Sequence, residues 1–254
     1  MDNLGFLPIS DVNMPFEAEI NVLSNEVFSH GALNNKFYDL WRERRFNKDE
    51  FRIFTINYFA RVHATTHRIS LALTSIDDWV SRIEILNNLT DELGHGSREN
   101  VHVLVLARWI DSLGSKLGMD DFSVEYKKLG DQLISDKTKF FISETNELCS
   151  SGPMQACGAL LAQEWHGYSQ LALLYEGFRN YIDLYELDDF HDVGEYFYVH
   201  VGKAEKEHKI QANIIAGRNC RTSEDFEILK QSYYRYLDLL ESFWCEIYDN
   251  IALD

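Results

Sequence analysis

The chain has 254 residues, with 41 Asp and Glu against 24 Lys and Arg, for a formal charge of −17. That balance argues against a nucleic-acid surface, which needs a clustered basic footprint, and against adsorption to anionic membranes. Hydrophobic residues make up 45 %, ample for one buried core, and no segment approaches the ~20 apolar residues that span a bilayer.

No linker or low-complexity stretch interrupts the middle, and the three prolines are Pro8, Pro15 and Pro153. A single helical domain over 1–254 is expected, with 1–14 irregular. Pro15 to His30 reads as a short helix. Apolar positions then recur at helical spacing near 32–46, 48–74, 77–95, 98–116, 124–150, 154–186, 189–217 and 222–252. Asn47-Lys48-Asp49 supplies a polar turn with a cap, and Ser75 or Asp77 is expected to start the next helix. Gly94 and Gly96 interrupt the third run, Ser123 can cap the fifth, and Gly152-Pro153 separates the following pair. Arg218-Asn219 and Thr222-Ser223 precede the last helix. The expected fold class is all-α, an up-and-down bundle of about seven main helices. Cys149, Cys157, Cys220 and Cys245 are scattered without a CxxC pair. With no basic and apolar leader at the N-terminus, this points to a reduced, cytoplasmic protein.

Three helical segments carry Glu and His in positions that a bundle core normally excludes. A metal is the usual compensation when several helices send such groups inward, and a mixed nitrogen and oxygen set suits iron or manganese. The first segment holds Glu92, followed by His95 and His102. Residues three apart share a helix face, whereas Glu92 and His102 would lie roughly 80° apart on an ideal helix. The Gly94/Gly96 break leaves either His able to join Glu92. In the plainer reading, Asp91 or Glu92 is surface charge and His95 a solvated loop residue. The second segment, Ala156 to Glu164, is small and apolar, so it can pack closely. It places Glu164 one turn after Leu160, near a buried face; an interface glutamate is the plainer reading. Gln163 and His166 point elsewhere, while Tyr168 shares the Glu164 side. The third segment places Glu205 and His208 three apart, as in di-metal bundles. His200 lies roughly 140° from Glu205 on an ideal helix, unless a π-bulge near Gly202 intervenes. Otherwise His200 aligns with Glu207. A solvated charged face explains EKEHK equally well.

In this order the three segments resemble the haem-oxygenase-like di-iron oxidases and oxygenases, the CADD-like, iron-containing redox enzymes. The likeness covers roughly residues 50–217, with the last helix completing the bundle. Asn88 to His102 is similar to the family's Asn-Leu-x-x-Glu-x-Gly-x-Gly followed by His, and Gly158 to Glu164 to its Gly-Ala-x-x-Ala-x-Glu. The third helix reads His-x4-Glu-x2-His, one residue longer than the family's His-x3-Asp/Glu-x2-His; the departure touches His200 more than Glu205 or His208. The resemblance implies a haem-oxygenase-like bundle in which Glu92, His102, Glu164, His200, Glu205 and His208 hold two Fe(II) ions, with manganese as the other candidate metal. His95 and Glu207 are the alternates. It also implies O₂ as co-substrate, an external reductant and a small amino- or carboxylate-bearing substrate. The implied outcomes are oxidative C–C cleavage, desaturation, N-oxygenation, or self-sacrificing chemistry on a protein tyrosine. Tyr58, Tyr168, Tyr196 and Tyr198 are neighbour candidates, Tyr168 and Tyr198 foremost. Arg61, Arg68 and Lys203 are candidates for holding a carboxylate.

Rival readings attach to other residues. His63 and His67 form an i, i+4 pair, for which packing or support of another group is the simpler role. A haem or tetrapyrrole-binding protein would need only one axial His. A thiamin-degrading-type hydrolase would need a nucleophilic cysteine, and Cys157 is the candidate. A metal-free helical interaction protein would need none of these groups. The final helix, SYYRYLDLLESFWCEIY, carries more large apolar residues than one face needs, so part of it is expected either to form a homodimer surface or, equally, to be buried within the monomer.

Overall fold

The computed structural model describes residues 13–120, 122, 133–201 and 203–253, with side chains described outside 199–206. Among the described residues the only regular elements are helices. In chain order they are α1 (Glu17–Asn25), α2 (Lys36–Glu43), α3 (Lys48–His63), α4 (Thr65–Ser75), α5 (Trp79–Glu92), α6 (His102–Lys116), α7 (Asp136–Ser150), α8 (Pro153–Phe178), α9 (Leu187–Val193), α10 (Glu195–Val201), α11 (Lys203–Asn219) and α12 (Ser223–Ala252). The run expected over 48–74 is two helices that break at Ala64, so His63 and His67 do not share one helix; both are exposed. The run expected over 154–186 ends as α-helix at Phe178 and continues as a 3₁₀ turn, Arg179–Leu184. The run expected over 189–217 is divided between α9, α10 and α11. Residues 1–12 and Ser123 lie outside the described residues.

The helix starts follow local chemistry. Asn47 forms a reciprocal capping box with Glu50 at the head of α3, and Thr222 does the same with Asp225 at α12. Pro153 occupies the first turn of α8, where its missing N–H costs nothing. The cap of α5 is Asp78, not Ser75 or Asp77: its carboxylate accepts from Ser81 N at 2.9 Å and Ser81 Oγ at 2.8 Å. The same carboxylate accepts both Nε and Nη2 of Arg218 at 2.8 and 2.9 Å, which ties α5 to the end of α11. Arg218, then Ser81, holds the Asp78 pKa down at about 2, against an ordinary 3.8. A depressed folded pKa contributes stability that is present above the unfolded value and lost as pH falls through the folded one. Asp78→Asn, which keeps a cap, should therefore cost about 2–3 kcal/mol above pH 5, less than a fully buried pair because Asp78 keeps solvent contact. Thermal melts of wild type and variant should converge between pH 5 and pH 2.

The core is one continuous cluster drawn from α1 through α12. At its centre runs α8, which packs against α12, α11, α2, α7, α10 and α4. Apolar or small residues on most sides of α8 explain this placement, since a helix that is apolar all round has to be enclosed. Its neighbour α12 buries Leu229, Tyr233, Tyr236, Leu237, Leu240, Phe243, Trp244 and Ile247 within the chain itself. The apolar surplus read as a dimer surface is thus taken up by the bundle core, and the basis for that expectation falls away. No described helix is long and apolar enough to cross a membrane.

Candidate metal centre

The end of α5 and the turn after it place the first group. Gly94, His95 and Gly96 all have positive φ, at 67°, 51° and 82°. A Cβ at Gly94 would lie 2.5 Å from the Asn100 carbonyl carbon and 2.6 Å from Val101 N, so glycine is required there both by conformation and by close approach. This tight return, with 3₁₀ turns at Gly94–Gly96 and Arg98–Asn100, starts α6 at His102. His102 Nδ1 consequently lies 3.4 Å from Glu92 Oε2, both side chains largely enclosed. Burial disfavours the imidazolium, but the Glu92 carboxylate outweighs it and the His102 pKa is raised. His95 instead projects outward, 73 % exposed, with Nε2 2.9 Å from Asp91 Oδ1. The turn therefore brings His102, not His95, to Glu92.

The second group lies where α5, α8 and α11 meet. Glu164 on α8 is buried. Its Oε1 accepts from Asn88 Nδ2 and Gln163 Nε2, each at 3.0 Å, while Oε2 lies 3.9 Å from His208 Nδ1. Burial raises the Glu164 pKa, with His208, Gln163 and Asn88 opposing it. On its far side His208 Nε2 meets Asp91 Oδ2 at 2.8 Å. A carboxylate at one ring nitrogen fixes the tautomer and directs the other nitrogen's lone pair, here towards Glu164. Asp91 is the functional candidate that the sequence reading left as surface charge. Its signal was present: adjacent acidic residues at a helix end can face two sides at once. Glu207, the alternate, is exposed and lines the outer cavity described next. The side chains of His200, Glu205 and Lys203 lie outside the described residues.

Glu164 and His208 form a wall between two cavities. An outer one of about 260 Å³ is lined by Glu84, Asn87, Asn88, Asp91 and Glu207. An inner one of about 70 Å³ is lined by Glu92, Tyr58, Tyr196, Arg61, Arg68 and His166 among others. The Tyr58 and Tyr196 hydroxyls bond to each other at 2.7 Å. Tyr168 lines neither cavity; its ring lies 4.9 Å from the Lys209 ammonium. Tyr198 is 40 % exposed and bonds Tyr175 and His191 at the surface. Both tyrosines placed foremost by the sequence thus stand apart from the centre, and Tyr58 and Tyr196 take that position. His166, expected to point elsewhere, is buried against the inner cavity, and burial together with Arg61 and Arg68 pushes its pKa down to about 3. Cys157 is buried in the core and lines neither cavity, and burial pushes its thiol pKa well up. A nucleophilic thiolate role therefore has no footing.

Two N/O ligands about 2.1 Å from one first-row ion lie roughly 3.0–3.4 Å apart at right-angle to tetrahedral spread. The Glu92–His102 separation of 3.4 Å matches this and the Glu164–His208 separation of 3.9 Å is somewhat wider. The chemistry of the donors fits iron: two carboxylates and two imidazoles, paired one to one. They stand as two pairs: among the described residues, three ligand atoms come within 4.8 Å of one another only at His30, Asp238 and Glu241, near the surface. Asp91→Asn should lower metal affinity by about 10–100-fold, the usual effect of losing a carboxylate that orients a ligand histidine. Equilibrium competition with a chelator would read this, and an unchanged affinity would remove Asp91 from the centre.

The sequence model of a family described as iron-containing redox enzymes matches residues 52–240. Solved structures share the fold at low identity. A domain of unknown function with a heme oxygenase-like fold from Shewanella denitrificans OS217 is 15 % identical, with TM-score 0.65 over 97 % of this chain and 95 % of that one. A CADD-like protein of unknown function from Nostoc punctiforme PCC 73102 is 16 % identical, with TM-score 0.70 over 92 % and 98 %. A TenA homolog from Pseudomonas syringae pv. tomato DC3000 is 11 % identical, with TM-score 0.72 over 98 % and 99 %. At these identities the likeness establishes the all-α, heme oxygenase-like fold. No curated protein matches the sequence significantly.

Proposed function

The chain belongs to the iron-containing redox enzymes, and from that premise we propose that it is an O₂-dependent di-iron oxidase or oxygenase of a small amino- or carboxylate-bearing metabolite. The observation that carries this reading is the pair of carboxylate–imidazole couples, Glu92 with His102 and Glu164 with His208, set beside a cavity. Glu92, His102, Glu164 and His208 would hold the metal, completed by His200 and Glu205 of α10 and α11. Bound ferrous iron supplies the electrons and the open coordination position that dioxygen activation requires. An external reductant would restore the ferrous state, and C–C cleavage, desaturation or N-oxygenation are the outcomes open to such a centre.

The chain's own groups have separable tasks. Asp91 holds His208 Nε2 and so presents Nδ1 towards Glu164. Asn88 and Gln163 occupy Glu164 Oε1 and leave Oε2 for the metal. Tyr58, Tyr196 and Leu171 give the inner cavity aromatic and aliphatic surface beside its polar lining. The donated hydrogen bond from His166 Nδ1 to the Ala162 carbonyl, at 2.8 Å, leaves Nε2 as a hydrogen-bond acceptor. A haem reading lacks comparable support, because an inner cavity of about 70 Å³ is far smaller than a tetrapyrrole.

The test is to load purified protein with Fe(II) without oxygen, count bound iron, and mix with oxygenated buffer while recording the visible spectrum. Two irons per chain and a transient long-wavelength band are expected. Absence of iron and manganese binding would overturn the reading.

A further inference from the structure

Two guanidinium groups in the inner cavity form no ion pair among the described residues. Arg61 and Arg68 are 4 % and 2 % exposed and both line that cavity. Each of their hydrogen bonds goes to a neutral side chain. Arg61 donates to Gln170 Oε1 at 2.9 Å; Arg68 donates to Gln163 Oε1 at 2.8 Å, Thr65 Oγ1 at 3.1 Å and Thr145 Oγ1 at 3.4 Å. Among the described residues Arg61 Nε is buried without a hydrogen-bond partner. So is the hydroxyl of Tyr236, which lines the same cavity. Aromatic faces of Tyr58, Phe243, Phe141 and Trp244 surround the Arg61 guanidinium and offset part of its desolvation, but they bring no formal negative charge. A buried charge kept without its pair lowers stability, and such a cost is retained where a ligand completes the pair.

We propose that this cavity binds the carboxylate of a short aliphatic carboxylic acid, with Arg61 and Arg68 as the cationic clamp and the Tyr236 hydroxyl as a further donor. Planar guanidinium forks match a carboxylate in two parallel hydrogen bonds. The cavity is small, about 70 Å³, so the acid is short. Glu92 and Glu164 border the same space and disfavour a phosphate dianion, which selects a monoanion. Val62 and Leu171 offer apolar surface for the carbon chain. The inference rests on the oxidase reading for the fate of the acid and not for its binding.

Calorimetric titration of propionate into the full chain, both iron-loaded and iron-chelated, tests it, with 1-propanol and inorganic phosphate as controls. Propionate should saturate a single site in both forms, and neither control should. Arg61→Met should weaken propionate at least tenfold while its melting temperature holds or rises, because an unpaired buried charge is gone. Arg61→Lys, which keeps a charge among the rings and loses the fork, should also weaken it and serves if the first variant does not fold. Undiminished propionate affinity in these variants, preference for phosphate, no saturable heat, or a marked fall in melting temperature for Arg61→Met would each overturn the clamp. Loss of iron binding with propionate binding intact would instead sink the oxidase reading alone.

Discussion

Glu164→Ala is expected to abolish stoichiometric iron loading and the oxygen-dependent spectral transient. Glu164 is the buried carboxylate at which α5, α8 and α11 converge, with Asn88 and Gln163 on one oxygen and His208 facing the other. The loss should exceed the roughly 10–100-fold that removal of an orienting partner costs, because a ligand atom itself is removed. Folding should survive, since a carboxyl whose pKa is raised by burial is itself a destabilising group. Iron counting alongside far-UV circular dichroism separates the two effects. A folded Glu164→Ala chain that still binds two irons per chain would remove Glu164 from the centre and, with it, the shared wall between the cavities.

Gly158→Ala should cost a large part of the stability that the packing of α8 supplies. A Cβ there would stand 2.8 Å from Ser232 Cβ and 3.0 Å from Tyr233 N, and closer still to the Leu229 carbonyl oxygen. Two of the three obstacles are backbone of α12, which no rotamer change can move aside. Overpacking commonly costs about 1–3 kcal/mol, and a backbone clash between two long helices belongs at or above the upper end. Chemical denaturation should show a lower midpoint, and a variant as stable as wild type would mean that α8 and α12 separate easily. The glycine in the segment shared with the family then has a packing role. It lets α8 approach α12 closely enough that Glu164, six residues on, sits inside the bundle.

Several features of the site could be read before folding because they are local. The interruption by Gly94 and Gly96 follows from backbone conformations that only glycine adopts freely, and the caps at Asn47 and Thr222 from side chains that satisfy the first N–H groups. The surplus of Glu and His on three helices also needed no tertiary knowledge. The ambiguity between His95 and His102 did, because an ideal helix angle has no meaning across three residues of positive φ. The sequence pointed to Ser75 or Asp77 as the start of α5, whereas Asp78 caps it and is held there by Arg218, 140 residues on.

The same boundary runs through the cavity residues. Helical periodicity gives the angle of a side chain about its own axis, so it correctly grouped Glu164 with the inward face of α8 and left Tyr168 near that face. It does not say which neighbouring helix stands opposite, nor how deep the position lies. Tyr168 therefore meets Lys209, and Tyr58 and Tyr196, from α3 and α10, meet each other beside the centre. The large apolar residues of α12 raised the question of a partner surface, which only the packing of α12 against α8, α7, α2 and α3 answered. By itself the sequence determined an all-α chain, where several of its helices begin or end, and which donors it could offer a metal, because propensities, caps and glycine conformations act within a few residues. The tertiary structure decided that Asp91 and Glu92 serve opposite sides of one wall, that His102 and not His95 returns to it, and that Arg61 and Arg68 share its inner cavity, because those relations depend on how separate helices are set against one another.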